Sequence, residues 1–308
     1  MYISPEGKMA NWAIYLNLIT EKKINSFNFL LIQYNPIFMK REPSFNVIIH
    51  RVTTSMKHAN KLFTAIGTFF LLSAVVAQPR FHALVLFENG GHHLEFTNAA
   101  QPWLNKLAAD SNITISYIKK TDSINEVFLA KYQLFIQLDY PPYGWTPAAM
   151  AAFKDYIEKG KGGWIGLHHA TLLGEFDGYP MWPWFSDFMG GIRFSNYIPT
   201  FAAAQVKAED EKHPCMKNLP LQFTIVKEEW YTYNKSPRNK VHVLASVNES
   251  SYVPNSDIKM GDHPVVWTNE HFPARNIYIF MGHGPDLFEN KFYTTLLTNA
   301  IFWAAGKE

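Results

Sequence analysis

The chain has 308 residues, 47% of them hydrophobic, and a formal net charge of +2. That length and apolar content suffice for one sizeable core, and a near-neutral charge without long runs of one sign argues against nucleic acid as a partner. One cysteine, Cys215 in "HPCMKNLP", excludes an internal disulfide and a Cys-x-x-Cys metal cluster; it reads as an incidental thiol in a loop.

The first recognisable segment begins at Met56. "MKHANKLFTAIGTFFLLSAVVAQ" has the parts of a secretory signal peptide: Lys57 and Lys61, an apolar run from Leu62 to Val76, and a small-residue boundary at Ala74 and Ala77. The apolar run is shorter than the roughly 20 residues of a spanning helix, so no stable membrane span is expected after cleavage. Signal peptides act at a chain start, so residues 1–55 read as a non-native extension, 56–77 as the signal peptide and 78–308 as one domain. The implied location is periplasmic or secreted; the rival reading is a membrane anchor with a cytoplasmic tail.

From Phe81 onward strands and helices alternate. "FHALVLF" (81–87) is a continuous apolar run, as a strand covered on both faces requires. Thr97 can cap a helix that runs to about Ala109. "ITISYI" (113–118) is a second strand, and Ser123 with Glu126 forms a capping-box pattern. "YQLFIQLD" (132–139) is a third strand. Thr146 followed by Pro147 predicts a helix start, with Gly160 beyond its end. "GGWIGL" (162–167) is a fourth strand. This order predicts an α/β, doubly wound, mainly parallel sheet with helices on both faces. The C-terminal half adds strands at 201–207, 221–233, 241–247, 263–271 and 275–282, and a closing helix over 288–305.

Three apolar strands run into Gly and His. "FHALVLF" leads into "ENGGHHLEF" with His92 and His93, "GGWIGL" into His168 and His169, and "NIYIFMG" into His283. Ligands of open parallel sheets bind outside the carboxyl ends of the strands, so these histidines are expected to meet in one cleft. A histidine pair after a strand is also an ordinary hydrogen-bonded turn. "VKEEWYTY" carries Glu228 and Glu229, which an unbroken strand would send to opposite faces. "GDHPVVW" carries Asp262 and His263 at a turn. "YPMWPWFSDFMGG" (179–191) packs aromatics that fit a sugar-stacking lid or a core cover equally well.

Taken together, "GGWIGLHHA", "WPWF", "HP…NLP", "EEWY", "GDHPVVW" and "GHGPDLF" resemble, in this order, the ThuA-like family named for trehalose utilisation, over nearly all of residues 80–308. The resemblance implies a flavodoxin-like fold related to class I glutamine amidotransferases. There the elbow after the fourth strand carries a nucleophilic Cys; here the elbow is His168, and the late histidine of those enzymes matches His283. Without a thiol, thioester chemistry has no nucleophile. The resemblance also implies a carbohydrate substrate, such as a disaccharide or an oxidised keto-sugar.

On that basis the expected enzyme is a sugar isomerase, lyase or hydrolase working by histidine acid/base chemistry. His168 is assigned as the acid/base, His283 as its partner, Glu229 as the orienting carboxylate and His93 as the completing member. His92, His169, Trp182, Trp184, Tyr231 and His263 are assigned to substrate binding. His168, as a turn residue facing a cleft, is expected to contribute little to stability. A divalent metal such as zinc held by some of these histidines is a variant. The implied partners are a small-molecule carbohydrate and, as an option, a second copy of the chain. The alternative function is a non-catalytic sugar-binding protein, which would keep the aromatic loop and have no need of several titratable histidines. A paired-carboxylate glycosidase is disfavoured, since no two acids stand out in the cleft-forming stretches.

Overall fold

Apolar runs flanked by glycine and helix-capping residues set the first half of the chain. The computed structural model describes residues 78–88 and 90–307; the expected extension and signal peptide lie outside the described residues. In chain order the elements are β1 (His82–Phe87), α1 (Leu94–Ser111), β2 (Thr114–Ile118), α2 (Glu126–Leu129), β3 (Leu134–Leu138), α3 (Pro147–Glu158), β4 (Gly163–Leu167) and α4 (Pro183–Phe188). There follow β5 (Phe194–Tyr197), β6 (Ala202–Ala208), β7 (Gln222–Glu228), β8 (Tyr231–Tyr233), β9 (His242–Val253), β10 (Pro264–Thr268), β11 (Asn276–Ile279) and α5 (Lys291–Ala304).

Nine strands form one sheet in the order β2-β1-β3-β4-β11-β10-β9-β6-β7. The first five run parallel, and the remainder join antiparallel. β11 thus takes the fifth place of the 2-1-3-4-5 order of flavodoxin-like sheets, whose ligand crevice opens at the carboxyl ends of the strands. β5 and β8 pair in a separate two-stranded ribbon. Every residue of β3, β4, β10 and β11 is buried, so the continuous apolar runs are covered on both faces. Phe153 of α3 packs edge-on against Trp164 of β4. The neighbouring Gly163 faces the other side, where an added Cβ would strike the carbonyl of Ala304 in α5. Among the described residues no helix is long and apolar enough to cross a membrane.

Several local expectations are corrected. Thr97 does not cap α1: the helix starts at Leu94, continuing a 3₁₀ turn at Gly91–His93, and Thr97 is buried within it. Asn125, not Ser123, caps α2, its side chain accepting the Phe128 N–H at 2.9 Å. Thr146 caps α3 as expected, accepting the Ala149 N–H at 3.2 Å. Residues 221–233 are not one strand. β7 ends at Glu228 because that residue's own carboxylate accepts the Glu229 N–H at 2.9 Å. The chain then turns, and β8 pairs with β5 instead. Cys215 sits buried in a 3₁₀ turn at Pro214–Met216.

Candidate functional site

Carboxyl ends of four parallel strands meet in one place. After β1 come Glu88 and the turn bearing His92 and His93; after β3 comes Asp139; after β4 the turn His168–Thr171; after β11, Gly282 and His283. The antiparallel half curls back to add Glu228 and Glu229, although β7 is the far edge strand. Gly282 is where these segments press closest: a Cβ there would lie 2.7 Å from His168 Cβ and 2.9 Å from Asp139 Oδ1.

His168 is the elbow. Its φ of 36° is in the left-handed region, uncommon for a residue with a side chain. Its carbonyl is held by the hydroxyls of Tyr278 (3.0 Å) and Thr171 (3.1 Å), and its Nδ1 donates to the Phe280 carbonyl at 3.1 Å. The ring is fully buried and packs at a tilt of 36° against Tyr231, with ring centroids 4.3 Å apart. His93, His168 and His283 converge as expected: ring centroids are 4.4 Å apart for His93–His283, 5.1 Å for His93–His168 and 5.4 Å for His168–His283. His93 Nε2 lies 3.0 Å from His283 Nδ1. Glu229 Oε2 lies 3.2 Å from His283 Nδ1 and 3.5 Å from His168 Nε2.

Burial pushes the His168 imidazole down to about 3 and that of His93 to about 4, so both rings are neutral near pH 7. Burial opposes ionisation of Glu229, yet the neighbouring His168 and His283 imidazoles outweigh it and hold the carboxyl below its usual range. Glu228 goes the other way. It is fully buried, and desolvation raises it to about 8 even though the backbone N–H groups of Glu229, Gly282 and His283 favour the charged form. Burial likewise raises Asp139 well above the carboxylate range. Near pH 7 Glu228 therefore keeps its proton while Glu229, its neighbour in sequence, is ionised.

A pocket of about 460 Å³ opens over this cluster, lined by His92, His93, His169, Glu229, Tyr231 and His283 on its floor. Leu172, Phe176, Phe194, Tyr197, Pro199 and Phe201 form the apolar wall, and Phe201 lies 4.6 Å from the His283 ring. None of these lining residues is Lys or Arg. His168 stands one layer behind, with no exposed surface.

Three residues assigned to substrate binding lie elsewhere. Trp182 and Trp184 pack with Phe153, Phe185 and Phe188, and Trp184 Nε1 donates to Glu158 at the far end of α3. The segment is a core cover: Trp182 and Phe185 are buried and pack on Phe153 of α3. His263 is also away from the pocket, packed against Trp230 and Phe280. Its Nδ1 pairs with Glu249 Oε1 at 3.0 Å, and Glu249 accepts the N–H groups of Met260 and Gly261 at 2.6 and 2.7 Å. Burial raises the Glu249 carboxyl, but these partners win and hold it below its usual range. A depressed carboxylate stabilises the fold above its unfolded value of about 4.3 and loses that contribution as pH falls through the folded value. Thermal melts of wild type and Glu249→Gln are expected to differ most above about pH 5 and to converge below about pH 4; a constant gap across that range refutes the assignment.

Glu88 was missing from the sequence reading, and the signal was available: it is the first residue past β1. Its Oε2 lies 3.1 Å from His169 Nδ1 and 3.6 Å from His93 Nδ1. Burial acts against its charge, but these two imidazoles bring it down to about 2. Ionised Glu88 therefore takes the Nδ1 proton of His169 as a hydrogen bond and leaves Nε2 as the nitrogen free to exchange a proton. The arrangement supplies a histidine–carboxylate pair at the pocket and, beside it, a knot of three imidazoles and a carboxylate of which His168 alone lies behind the floor.

A family model described as ThuA, trehalose utilisation, matches residues 82–304. The crystal structure of a ThuA-like protein from Bacteroides uniformis ATCC 8492 is similar at 31% identity and a TM-score of 0.67, over 75% of this chain and 94% of that one. A ThuA-like protein from Parabacteroides merdae ATCC 43184 shares the fold at 19% identity and a TM-score of 0.56, over 75% and 91%. Among curated proteins there is no match.

Proposed function

Since the chain belongs to the ThuA family of trehalose-utilisation proteins, we propose that it is a carbohydrate-utilisation enzyme that moves a proton next to the carbonyl of a neutral, oxidised sugar. The observation that carries this reading is His169, held by Glu88 and lining a pocket with an aromatic wall and no lining Lys or Arg. Aromatic faces suit the apolar faces of sugar rings. A floor without fixed cations suits an uncharged sugar better than a phosphorylated one. His169 Nε2 takes the proton from the carbon beside the carbonyl, and Glu88 stabilises the imidazolium that forms. The oxygen that gains negative charge is met by His283, held by Glu229 and His93. The proton then returns at a neighbouring atom in an isomerisation, or a substituent leaves in an elimination.

The test is hydrogen exchange. Purified protein is incubated in heavy water with a panel of neutral keto-disaccharides and their unoxidised parents, and proton NMR follows the carbon next to the carbonyl. Deuterium is expected to enter the keto-sugars alone. Tight sugar binding with no exchange or conversion across the panel would replace the enzyme by the sugar-binding alternative.

A further inference from the structure

We propose that the knot at the pocket floor is a divalent metal site, with His93 Nε2, His168 Nε2, His283 Nδ1 and a Glu229 oxygen as its ligands. Each of the four residues offers one donor atom, and these atoms all lie within 4.8 Å of one another. Measured separations are 3.0 Å for His93 Nε2–His283 Nδ1, 3.2 Å for His283 Nδ1–Glu229 Oε2 and 3.5 Å for His168 Nε2–Glu229 Oε2. A tetrahedral zinc ion with ligands at about 2.0–2.1 Å sets its donor atoms about 3.4 Å apart. These three separations bracket that spacing, and the remaining ones stay within 4.8 Å.

The orphaned atom points the same way. His168 Nδ1 donates to the Phe280 carbonyl, so in the neutral ring Nε2 carries a lone pair. That nitrogen is buried, has no hydrogen-bond partner and faces a carboxylate oxygen. Two acceptors aimed at each other in a dry site are unfavourable until a cation lies between them. Metal-bound histidines hold their second nitrogen on a carbonyl or carboxylate, which fixes the tautomer. Phe280 O does this for His168, and Glu88 Oε2, 3.6 Å from Nδ1, is placed to do it for His93. The proton now shared between His93 and His283 can move to His93 Nδ1, where Glu88 accepts it, so binding expels no proton into the core. Three imidazoles and one carboxylate suit zinc or a related ion rather than calcium or magnesium. The site is independent of the sugar assignment: an ion here would polarise any carbonyl or water reaching the pocket floor.

The experiment uses the full chain, stripped with a chelator and titrated with zinc chloride alone. Metal content by plasma mass spectrometry and the melting temperature are read together. About one zinc per chain is expected after desalting, with a melt that rises with zinc concentration. Glu229→Gln and His283→Ala, both at the half-open floor, are each expected to weaken zinc binding by about 10–100-fold or more. Circular dichroism verifies that both variants fold. His242→Ala serves as the control: this surface histidine lies between Asp210 and Glu270 and is the place for adventitious zinc. No stoichiometric zinc in the folded wild type overturns the site. So does zinc that survives both floor variants or departs with His242→Ala.

Discussion

His169→Ala is expected to lower turnover of a keto-sugar substrate by about 10²–10⁴-fold, the usual loss when a general acid–base group is removed. Its melting temperature is expected to stay close to that of the wild type. The two effects separate because the His169 side chain lines the pocket and is bonded to Glu88, at 3.1 Å. His168→Ala provides the contrast. The elbow imidazole is fully buried, bonded to Phe280 O and packed against Tyr231, so its loss leaves a cavity and an unpaired carbonyl. That variant is expected to lose about 1–3 kcal/mol of stability together with its activity. This corrects the sequence-based expectation of a turn residue with few core contacts. Melts and turnover measured side by side decide the matter. A His169→Ala protein with undiminished turnover removes the Glu88–His169 pair from the chemistry, and a His168→Ala protein with an unchanged melt refutes the structural role given to the elbow.

Trp230→Ala is expected to carry the largest stability loss, about 3–5 kcal/mol. Trp230 has no exposed surface, stacks on Phe280 at 5.3 Å and 19°, and donates from Nε1 to the Ala202 carbonyl at 2.8 Å. Removing the indole opens a cavity between β6 and the end of β11 and orphans that carbonyl. For a domain of this size each kcal/mol lowers the melt by about 2–4 °C, so a fall on the order of 10 °C is expected. Because Phe280 O fixes the tautomer of His168, the same cavity should also loosen the imidazole knot. Trp230→Phe keeps most of the ring stacking and should recover more than half of the loss. Equal melts for the Ala and Phe variants would show that the stack contributes nothing beyond the hydrogen bond.

Much of the fold was legible along the chain. β1, β3 and β4 are runs of apolar residues long enough for one strand, and such a run has no stable state except burial between two layers. Thr146–Pro147 announces α3 because the cap and the fixed φ of proline act within one turn. The histidines at the ends of β1, β4 and β11 were legible as a set for the same reason: strand direction fixes which end faces the ligand crevice. The break after Glu228 was not legible. It depends on a carboxylate that bonds its own neighbour's N–H and the N–H of Gly282, residues far apart in sequence. The aromatic run at 181–185 misled because its composition is the same whether it stacks on a sugar or on Phe153.

By itself, then, the sequence determined the alternation of elements, the class of sheet and the placing of imidazoles at strand ends, all of which rest on interactions within about a dozen residues. Only the tertiary structure decided that β11 lies beside β4, which brings His283 to His93 and His168. It also decided that both Glu228 and Glu229 reach the knot, that Glu88 orients His169, and that His263, Trp182 and Trp184 belong to the core. Those outcomes are set by strand order and by which buried polar atoms find partners. Both are properties of the packed chain as a whole, since a buried donor or acceptor must be satisfied by whatever the fold brings beside it.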